Sequence, residues 1–105
     1  MTTSTRPLTV AFVAKLVAKQ ETADEVGAFL AGAVSLANQE AGTIVWFALR
    51  TDATTFWIVD AFASEADRQT HINGPIAAAL MANADRLLAT APEILPAEVL
   101  AAKVP

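Results

Sequence analysis

Two neighbouring segments carry bulky apolar side chains on both of their faces, and this feature limits the folds open to the chain. The segments are TIVWFALR, residues 43–50, and TFWIVDAF, residues 55–62. The polar residues 51–54 between them suit the turn of a β-hairpin. An antiparallel sheet with one face in water should alternate apolar with polar residues. These segments do not alternate in that way, so the sequence predicts a hairpin with both faces covered.

The other patterns predict a β-α-β-β-α-β order of elements. A capping box, formed by Thr22 and Glu25, marks the start of a helix whose apolar positions repeat with helical spacing up to Gly42. Ser64 offers a second helix cap with Asp67 in the capping-box position. In chain order, the predicted elements are a strand at 8–19, a helix at 22–42, strands at 43–50 and 55–62, a helix at 64–91 that breaks at Gly74-Pro75, and a strand at 98–104.

This order is the split-βαβ, ferredoxin-like arrangement, in which right-handed crossovers place both helices on one face of a four-stranded antiparallel sheet. We therefore predict an α+β fold with one domain at 8–105 after a flexible tail at 1–7. The chain is 54% apolar and 17% charged, against about 45–50% and about 25% in typical domains. A homodimer with two sheets packed face to face would cover the second face. Ligand binding on that face is the alternative.

Composition excludes several classes of partner and site. The chain has no Cys, so it has no disulfide framework, thiolate nucleophile or Cys-type zinc site. Its net charge of −4 gives no electrostatic footprint for nucleic acid or an anionic membrane. The longest apolar run, 44–49, is far below the ~20 residues of a membrane-spanning helix. We expect a cytoplasmic protein.

One stretch resembles a known family. The run FWIVDAF at 56–62, followed by SEA at 64–66 and by His71, is similar to the strand-then-helix signature of the antibiotic biosynthesis monooxygenase family. The QEAG turn at 39–42 resembles the acidic-plus-Gly ending of that family's first helix. The resemblance covers about residues 10–88.

The resemblance implies a dimeric α+β barrel that oxidises an aromatic, quinol-like or polyketide small molecule with molecular oxygen. It implies neither metal nor flavin, so no cofactor is expected. The chain departs from the family in having Thr43 where many relatives have Cys, Asp60 where Glu is usual, and no Tyr. Leu80 or a neighbour stands where haem-degrading relatives carry an axial His, which argues against haem oxygenation. The alternative function is a non-catalytic dimeric barrel that binds a small apolar ligand.

His71 is the only histidine and the first catalytic candidate, because imidazole exchanges a proton near neutral pH. A base of this kind would turn a phenol or an activated C–H group into an anion that can pass an electron to oxygen. Asp67 lies four residues earlier on the same helix face and is one candidate partner. The alternative is a structural role for His71 at the helix end, near the Asn73-Gly74 break.

Asp60 is the second catalytic candidate, because a carboxylate in the middle of a strand is rare unless it is paired. It could hydrogen-bond His71 and fix its tautomer. The rival is a buried ion pair with Arg68, Lys15 or Arg50.

The predicted substrate contacts are mostly aromatic, since flat rings stack on flat substrates. Large aromatic residues are also typical of ordinary cores, and Asn commonly caps helix ends, so a structural role is the alternative for each. The predicted contacts are Trp46, Trp57, Phe62 and Asn73.

Overall fold

The computed structural model describes residues 7–105. Residues 1–6 of the predicted tail at 1–7 lie outside this range, and a single domain at 8–105 stays a prediction. The elements, in chain order, are β1 (Val10–Val17), a 3₁₀ turn (Gln20–Thr22), α1 (Ala23–Ala37), β2 (Val45–Arg50), β3 (Thr55–Phe62), α2 (Glu65–Ile72), α3 (Pro75–Leu87) and β4 (Glu93–Glu98).

The four strands form one antiparallel sheet in the order β2-β3-β1-β4. The long connections through α1 and through α2 and α3 join strands that are not hairpin neighbours, as in the split-βαβ arrangement. This confirms the predicted α+β, ferredoxin-like fold. In the sheet register Asp60 lies directly opposite Phe12 on one side and Trp46 on the other, so these three side chains share a face.

The helices cover that face of the sheet. It carries Phe56, Ile58, Asp60 and Phe62, which are all buried. Of these, Phe56 and Ile58 pack with the buried stripes of α1 and α3. The opposite face, which we call the open face, carries Trp57 and Val59 from β3. Its outer strands leave large apolar side chains exposed, with Phe47 at 56% and Leu95 at 58%. The predicted hairpin with two apolar faces is therefore present, and the helices of one chain cover only one of them.

The two predicted helix caps have different outcomes. Ser64 caps α2 as predicted, because its hydroxyl accepts a hydrogen bond from the backbone N–H of Asp67 at 3.1 Å. The capping box at Thr22 is wrong. The Thr22 hydroxyl donates to the carbonyl of Leu87 at 2.6 Å, and a 3₁₀ turn comes before α1. Thr22 thus ties the start of α1 to the end of α3.

The last third of the chain differs most from its predicted boundaries. α3 ends at Leu87, and Ala18 and Leu88 form an isolated bridge. The closing strand is Glu93–Glu98 and not 98–104. Pro96 was predicted to lie in a connection but belongs to this strand, where it pairs with Phe12. Proline is tolerated there because β4 is an edge strand with a neighbour on one side only.

α1 and β2 are also shorter than predicted. α1 ends at Ala37, five residues before Gly42, and β2 begins at Val45. The residues between them form a loop that contributes to the site described below. No helix within residues 7–105 combines the length and apolar character that crossing a bilayer requires.

Candidate functional site

His71 lies between two carboxylates. Its Nδ1 is 2.6 Å from Oε1 of Glu40, and its Nε2 is 3.0 Å from Oδ2 of Asp60. The imidazole is buried, with only 6% of its side chain exposed, and its ring centroid is 5.3 Å from that of Phe62. A buried imidazole with a carboxylate on each nitrogen is suited to carry a positive charge.

The sheet and α2 fix the positions of Asp60 and His71. Asp60 is in the middle of β3, where its Oδ1 also accepts the backbone N–H of Phe12 at 3.2 Å. α2 begins directly after β3, so the last turn of this short helix returns His71 to the same face of the sheet. Arg68 anchors the helix, because its guanidinium donates to the carbonyls of Ala11 and Ala97 at 3.1 and 3.3 Å.

The loop between α1 and β2 supplies the other carboxylate. The Thr43 hydroxyl donates to Oε1 of Glu40 at 2.8 Å and lies 3.4 Å from Nδ1 of His71. The backbone N–H of Thr43 also donates to the carbonyl of Glu40 at 3.1 Å. Gly42 allows this loop to approach α2, because a Cβ at Gly42 would be 2.6 Å from Cγ of Asp67.

Charge and burial act on the pKa of His71 in opposite directions. Burial lowers it, while the hydrogen bonds and negative charges of Asp60 and then of Glu40 raise it. The carboxylates outweigh the burial, so the pKa of His71 lies above its ordinary value of 6.5. The imidazolium form is therefore favoured up to a higher pH than in an exposed histidine.

Two spaces of different character flank His71. An inner cavity of about 30 Å³ lies between the sheet and the helices. Its only ionisable lining groups within the described chain are Asp60 and His71, and the full lining is Phe12, Ala14, Trp46, Ile58, Asp60, His71, Ile72, Ile76, Ala77, Leu80 and Ile94. On the other side is an outer recess of about 290 Å³, lined by residues 39–43, Asp67, Thr70 and His71.

Trp46 separates the inner cavity from a larger space. It lines the inner cavity and also an edge groove of about 410 Å³ between α1 and β2. The lining of the edge groove is Val34, Ala37, Asn38, residues 43–47, Val104 and Pro105. Within residues 7–105, the indole Nε1 of Trp46 is buried and has no hydrogen-bond partner. No hydrogen bond from its N–H to the described chain therefore fixes the indole in this orientation.

The predicted site residues are brought together only in part. His71, Asp60 and Trp46 line the inner cavity, and Phe62 packs against the His71 ring behind it. Trp57 is on the open face of the sheet, where its Nε1 donates to the hydroxyl of Thr51 at 3.0 Å. Asn73 caps the end of α2 and is exposed. Trp57, Asn73 and Phe62 are not part of the inner cavity's lining, and their role as substrate contacts stays a prediction.

The alternatives left open for Asp60 are resolved in favour of His71. Arg68 pairs with Glu65 at 2.6 Å, and its guanidinium lies 5.2 Å from the Phe12 ring. Arg50 donates to the carbonyl of Ala53 at the hairpin turn. Lys15 lies over the ring of Trp57 on the open face. Each of these three cations therefore contacts groups other than Asp60.

Glu40 and Thr43 were not predicted as members of the site. Asp67 was only a second candidate partner of His71. Glu40 instead contacts Nδ1, and Asp67 lines the outer recess beside it. The available signal was the QEAG turn, which places a carboxylate just after α1. The distance of 31 residues between Glu40 and His71 gives no pattern along the chain, so only the fold shows the contact.

In the described range, no group of three His, Cys, Asp or Glu side chains is arranged to hold a metal ion.

Comparison with known proteins identifies a relative of high sequence identity. The sequence matches no protein-family model, and no curated protein is significantly similar to it. A protein of unknown function from Nitrosomonas europaea is 50% identical, with a TM-score of 0.92, and the match covers 96% of this chain and 98% of that one.

More distant solved structures carry the name of the family that the sequence resembles. A "putative antibiotic biosynthesis monooxygenase" from Nitrosomonas europaea is 13% identical, with a TM-score of 0.79 over 88% of this chain and 99% of that one. Another, from Bacteroides thetaiotaomicron, is 18% identical, with a TM-score of 0.75 over 92% and 94%. These similarities confirm the predicted resemblance at the level of the fold. The chain therefore belongs to the same family as the Nitrosomonas europaea protein of unknown function and has the fold of the antibiotic biosynthesis monooxygenases.

Proposed function

We propose that the protein is a monooxygenase that oxidises a small aromatic, quinol-like or polyketide molecule with dioxygen and without a metal or flavin. The observation that carries the proposal is the position of the His71–Asp60 pair in the lining of an apolar cavity. A buried acid–base pair at an apolar space suits the removal of a proton from a weakly acidic organic molecule.

The proposed reaction balances without an external reductant. An activated CH₂ group of the substrate loses a proton to the site, and the resulting anion passes an electron to dioxygen. A C–O bond then forms to give a peroxide anion, which takes back the proton and becomes a hydroperoxide. Loss of water leaves a carbonyl, so one oxygen atom enters the product and the other leaves as water. The substrate supplies all four electrons that dioxygen accepts.

His71 is the proposed base, with Asp60 as its partner on the cavity side. The base must be unprotonated to accept the substrate proton. Because the carboxylates raise the pKa of His71, the rate should increase as the pH rises through a value above 6.5. A role for His71 as a fixed cation predicts the opposite dependence.

The edge groove is the proposed route for the substrate. The inner cavity of about 30 Å³ holds a molecule of the size of water or dioxygen, whereas ligand pockets are typically ~300 Å³ or more. The groove of about 410 Å³ is large enough for a small aromatic molecule, and Trp46 is the wall between the two spaces. Rotation of the indole would join them and bring the substrate to His71.

Oxygen consumption tests the proposal directly. We expect uptake above the protein-free rate with at least one member of a panel of anthrones and reduced naphthoquinols. His71→Ala should lower that rate about 100-fold or more, since general bases contribute about 10²–10⁴-fold. Gln69→Ala, an exposed change on the same helix, is the control and should keep the parent rate. Uptake equal to the protein-free rate throughout, or an unaffected rate in His71→Ala, contradicts the proposal.

A second candidate is a non-catalytic barrel that binds a small apolar ligand. It is favoured by one observation, the occupation of both nitrogens of His71 by carboxylates, which is also what a purely structural pair requires. Under this function the same panel would bind without oxygen uptake.

We further propose that the protein is a homodimer that buries the open face, on account of the exposed Phe47, Leu49 and Leu95 on that face. Covering an open sheet face with a second sheet is an established packing mode. The predicted cytoplasmic location stays a prediction that rests on the cysteine-free composition.

A further inference from the structure

The two carboxylates that bind His71 have different surroundings. Asp60 is 3% exposed and lines the inner cavity, whereas Glu40 is 17% exposed and lines the outer recess. Nε2 of the imidazole therefore faces the inner cavity, where a substrate would lose its proton, and Nδ1 faces the outer recess.

We propose that Glu40 is the positioning residue of the site, which keeps the Nδ1 proton on His71 and leaves Nε2 as the atom that exchanges protons at the inner cavity. This inference rests on the proposed function, because it assigns Glu40 a part in the same reaction. Asp60 was the predicted residue for fixing the tautomer, and the geometry moves that role to Glu40.

The proton count of the ring determines which nitrogen can act as the base. A neutral imidazole has one N–H donor and one acceptor nitrogen. An ionised carboxylate only accepts, so the nitrogen with the shorter carboxylate contact is the one that keeps the proton. The Nδ1–Glu40 distance is 2.6 Å and the Nε2–Asp60 distance is 3.0 Å. The shorter contact is the one with Glu40.

The loop holds Glu40 in place from a second direction. Oε1 of Glu40 accepts from the Thr43 hydroxyl at 2.8 Å and lies 2.6 Å from Nδ1 of His71, so the hydroxyl holds the oxygen that contacts the ring. The hydroxyl of Thr43 can rotate toward Glu40 in either charge state of the ring. The charged groups that line the two sides of His71 are Asp60 from β3, Glu40 from the loop and Asp67 from its own helix.

The opposite tautomer would disable the site. A proton kept on Nε2 by Asp60 would leave the lone pair of Nδ1 facing the Glu40 carboxylate, on the side away from the inner cavity, where it meets no substrate. The reaction needs the lone pair on the cavity side. Glu40 is therefore the group that makes His71 a base toward the cavity.

The chain's single histidine makes the test direct. In uniformly ¹⁵N-labelled protein, the two nitrogen signals of His71 can be followed through pH without assignment among several rings. We expect the neutral form of the wild type to be the Nδ1–H tautomer. Glu40→Gln should lower the pKa of His71 and mix the two tautomers. Glu65→Gln, which removes an equally negative side chain at an exposed position on α2, should change neither.

Kinetics provide the second readout. With a substrate that the wild type oxidises, Glu40→Gln should lower kcat/KM about tenfold or more at its optimum. The acid limb of its pH profile should move to lower pH together with the NMR titration. A variant that only loosened the fold would lose rate without that shift. Formate, which the outer recess is large enough to admit, should restore part of the rate to Glu40→Ala and none to Asp60→Ala.

An Nε2–H tautomer in the wild type would overturn the inference, and this measurement needs no variant that must fold. An unchanged titration and tautomer in Glu40→Gln would also overturn it. Both results are obtained without substrate. A wild type that never consumes oxygen contradicts the proposed function instead, so the two failures are distinguishable.

Discussion

The imidazole of His71 joins three parts of the fold that are distant in sequence. Its nitrogens contact a strand residue, Asp60, and a loop residue, Glu40, while the ring itself belongs to α2. A protonated ring between two carboxylates stabilises the folded state relative to the unfolded chain, because the unfolded chain does not make these contacts. The charge state of one residue therefore affects the docking of a helix and a loop on the sheet.

The stability of the protein should decrease as the pH rises above neutral. The pKa of His71 is raised in the folded state above the 6.5 of an ordinary histidine. Its contribution to the free energy of unfolding is then fully present below pH 6.5 and is lost as the pH rises through the folded pKa, by up to about 1.4 kcal/mol per pH unit. Urea unfolding between pH 5.5 and 9, followed by circular dichroism, measures this loss.

His71→Gln is the reference for that experiment, because it lacks the titrating ring. The difference in unfolding free energy between the parent and His71→Gln should become smaller over the same pH interval. A difference that is independent of pH would contradict the raised pKa.

Gly42 is required for space and not for backbone conformation, since no described glycine has a positive φ. In Gly42→Ala the new Cβ would lie 2.6 Å from Cγ and 2.8 Å from Cβ of Asp67. Such crowding typically costs about 1–3 kcal/mol. Gly32→Ala is the matched control, because nothing lies within 4 Å of its new Cβ and alanine favours a helix interior. Thermal unfolding should show a lower Tm for Gly42→Ala and an equal or higher Tm for Gly32→Ala. Equal shifts would exclude the close contact.

The chemistry of single residues was predictable where the side chain itself carries the signal. Asp60 in the middle of an apolar strand and His71 as the only histidine were recognisable from sequence, and they contact each other. Glu40 was not recognisable, because a glutamate after a helix has the same local pattern whether it faces solvent or a buried imidazole. Trp46 and Trp57 were indistinguishable by type, and only the alternation along the hairpin assigns them to opposite faces.

At the level of elements, α2 buries the fewest residues of the three helices in the described chain. It has eight residues and His71 as its only buried residue, so packing of an apolar stripe contributes little to its stability. Its anchors are the Ser64 cap at one end, the Arg68 bonds to strand carbonyls, and the His71 pairs at the other end.

Removal of the Ser64 cap should therefore be costly. Ser64→Ala leaves the backbone N–H of Asp67 without its acceptor, and such changes typically cost about 0.5–2 kcal/mol. Ser35→Ala in α1 is the control, because Ser35 is at an exposed position of that helix and its hydroxyl donates to the carbonyl of Gly32 in the same helix. Chemical denaturation of both variants measures the difference. Equal effects of the two changes would show that the cap does not stabilise α2.

The order of the elements along the chain and most of the elements themselves could be predicted because periodicity and turn residues agree locally. β3 has the predicted bounds, 55–62. The closing strand could not be placed, because Pro92 and Pro96 were read as a connection, and proline is allowed in a strand only when that strand is at an edge. Whether a strand lies at an edge is a property of the whole sheet. The predicted end of α3 was wrong for a similar reason, because after Leu87 the chain forms a bridge between Leu88 and Ala18 and a hydrogen bond from Ala89 to Val17 at the end of β1.

At the scale of the whole molecule, the sheet has one buried and one partly exposed apolar face. Phe47, Leu49 and Leu95 on the open face are about half exposed. Bulky apolar side chains that are exposed together on one sheet face are typical of an interaction surface.

The homodimer proposal predicts a sedimentation mass of two chains at micromolar concentration. Val59→Lys places a charge on β3 in the open face and should give a folded monomer, because the charge would be buried without a partner in the dimer. Met81→Lys, on an exposed position of α3, is the control and should stay dimeric. A wild-type monomer at this concentration would refute the proposal.

The placement of the two tryptophans on opposite faces of one hairpin supplies a pair of built-in optical reporters. Trp46 is beside the inner cavity, and Trp57 is on the open face beside Lys15. Replacing either one with phenylalanine leaves a single indole whose fluorescence belongs to one side of the sheet. Occupation of the pocket and association of two chains would then give separate emission changes, although both events take place within a few ångströms of the same two strands.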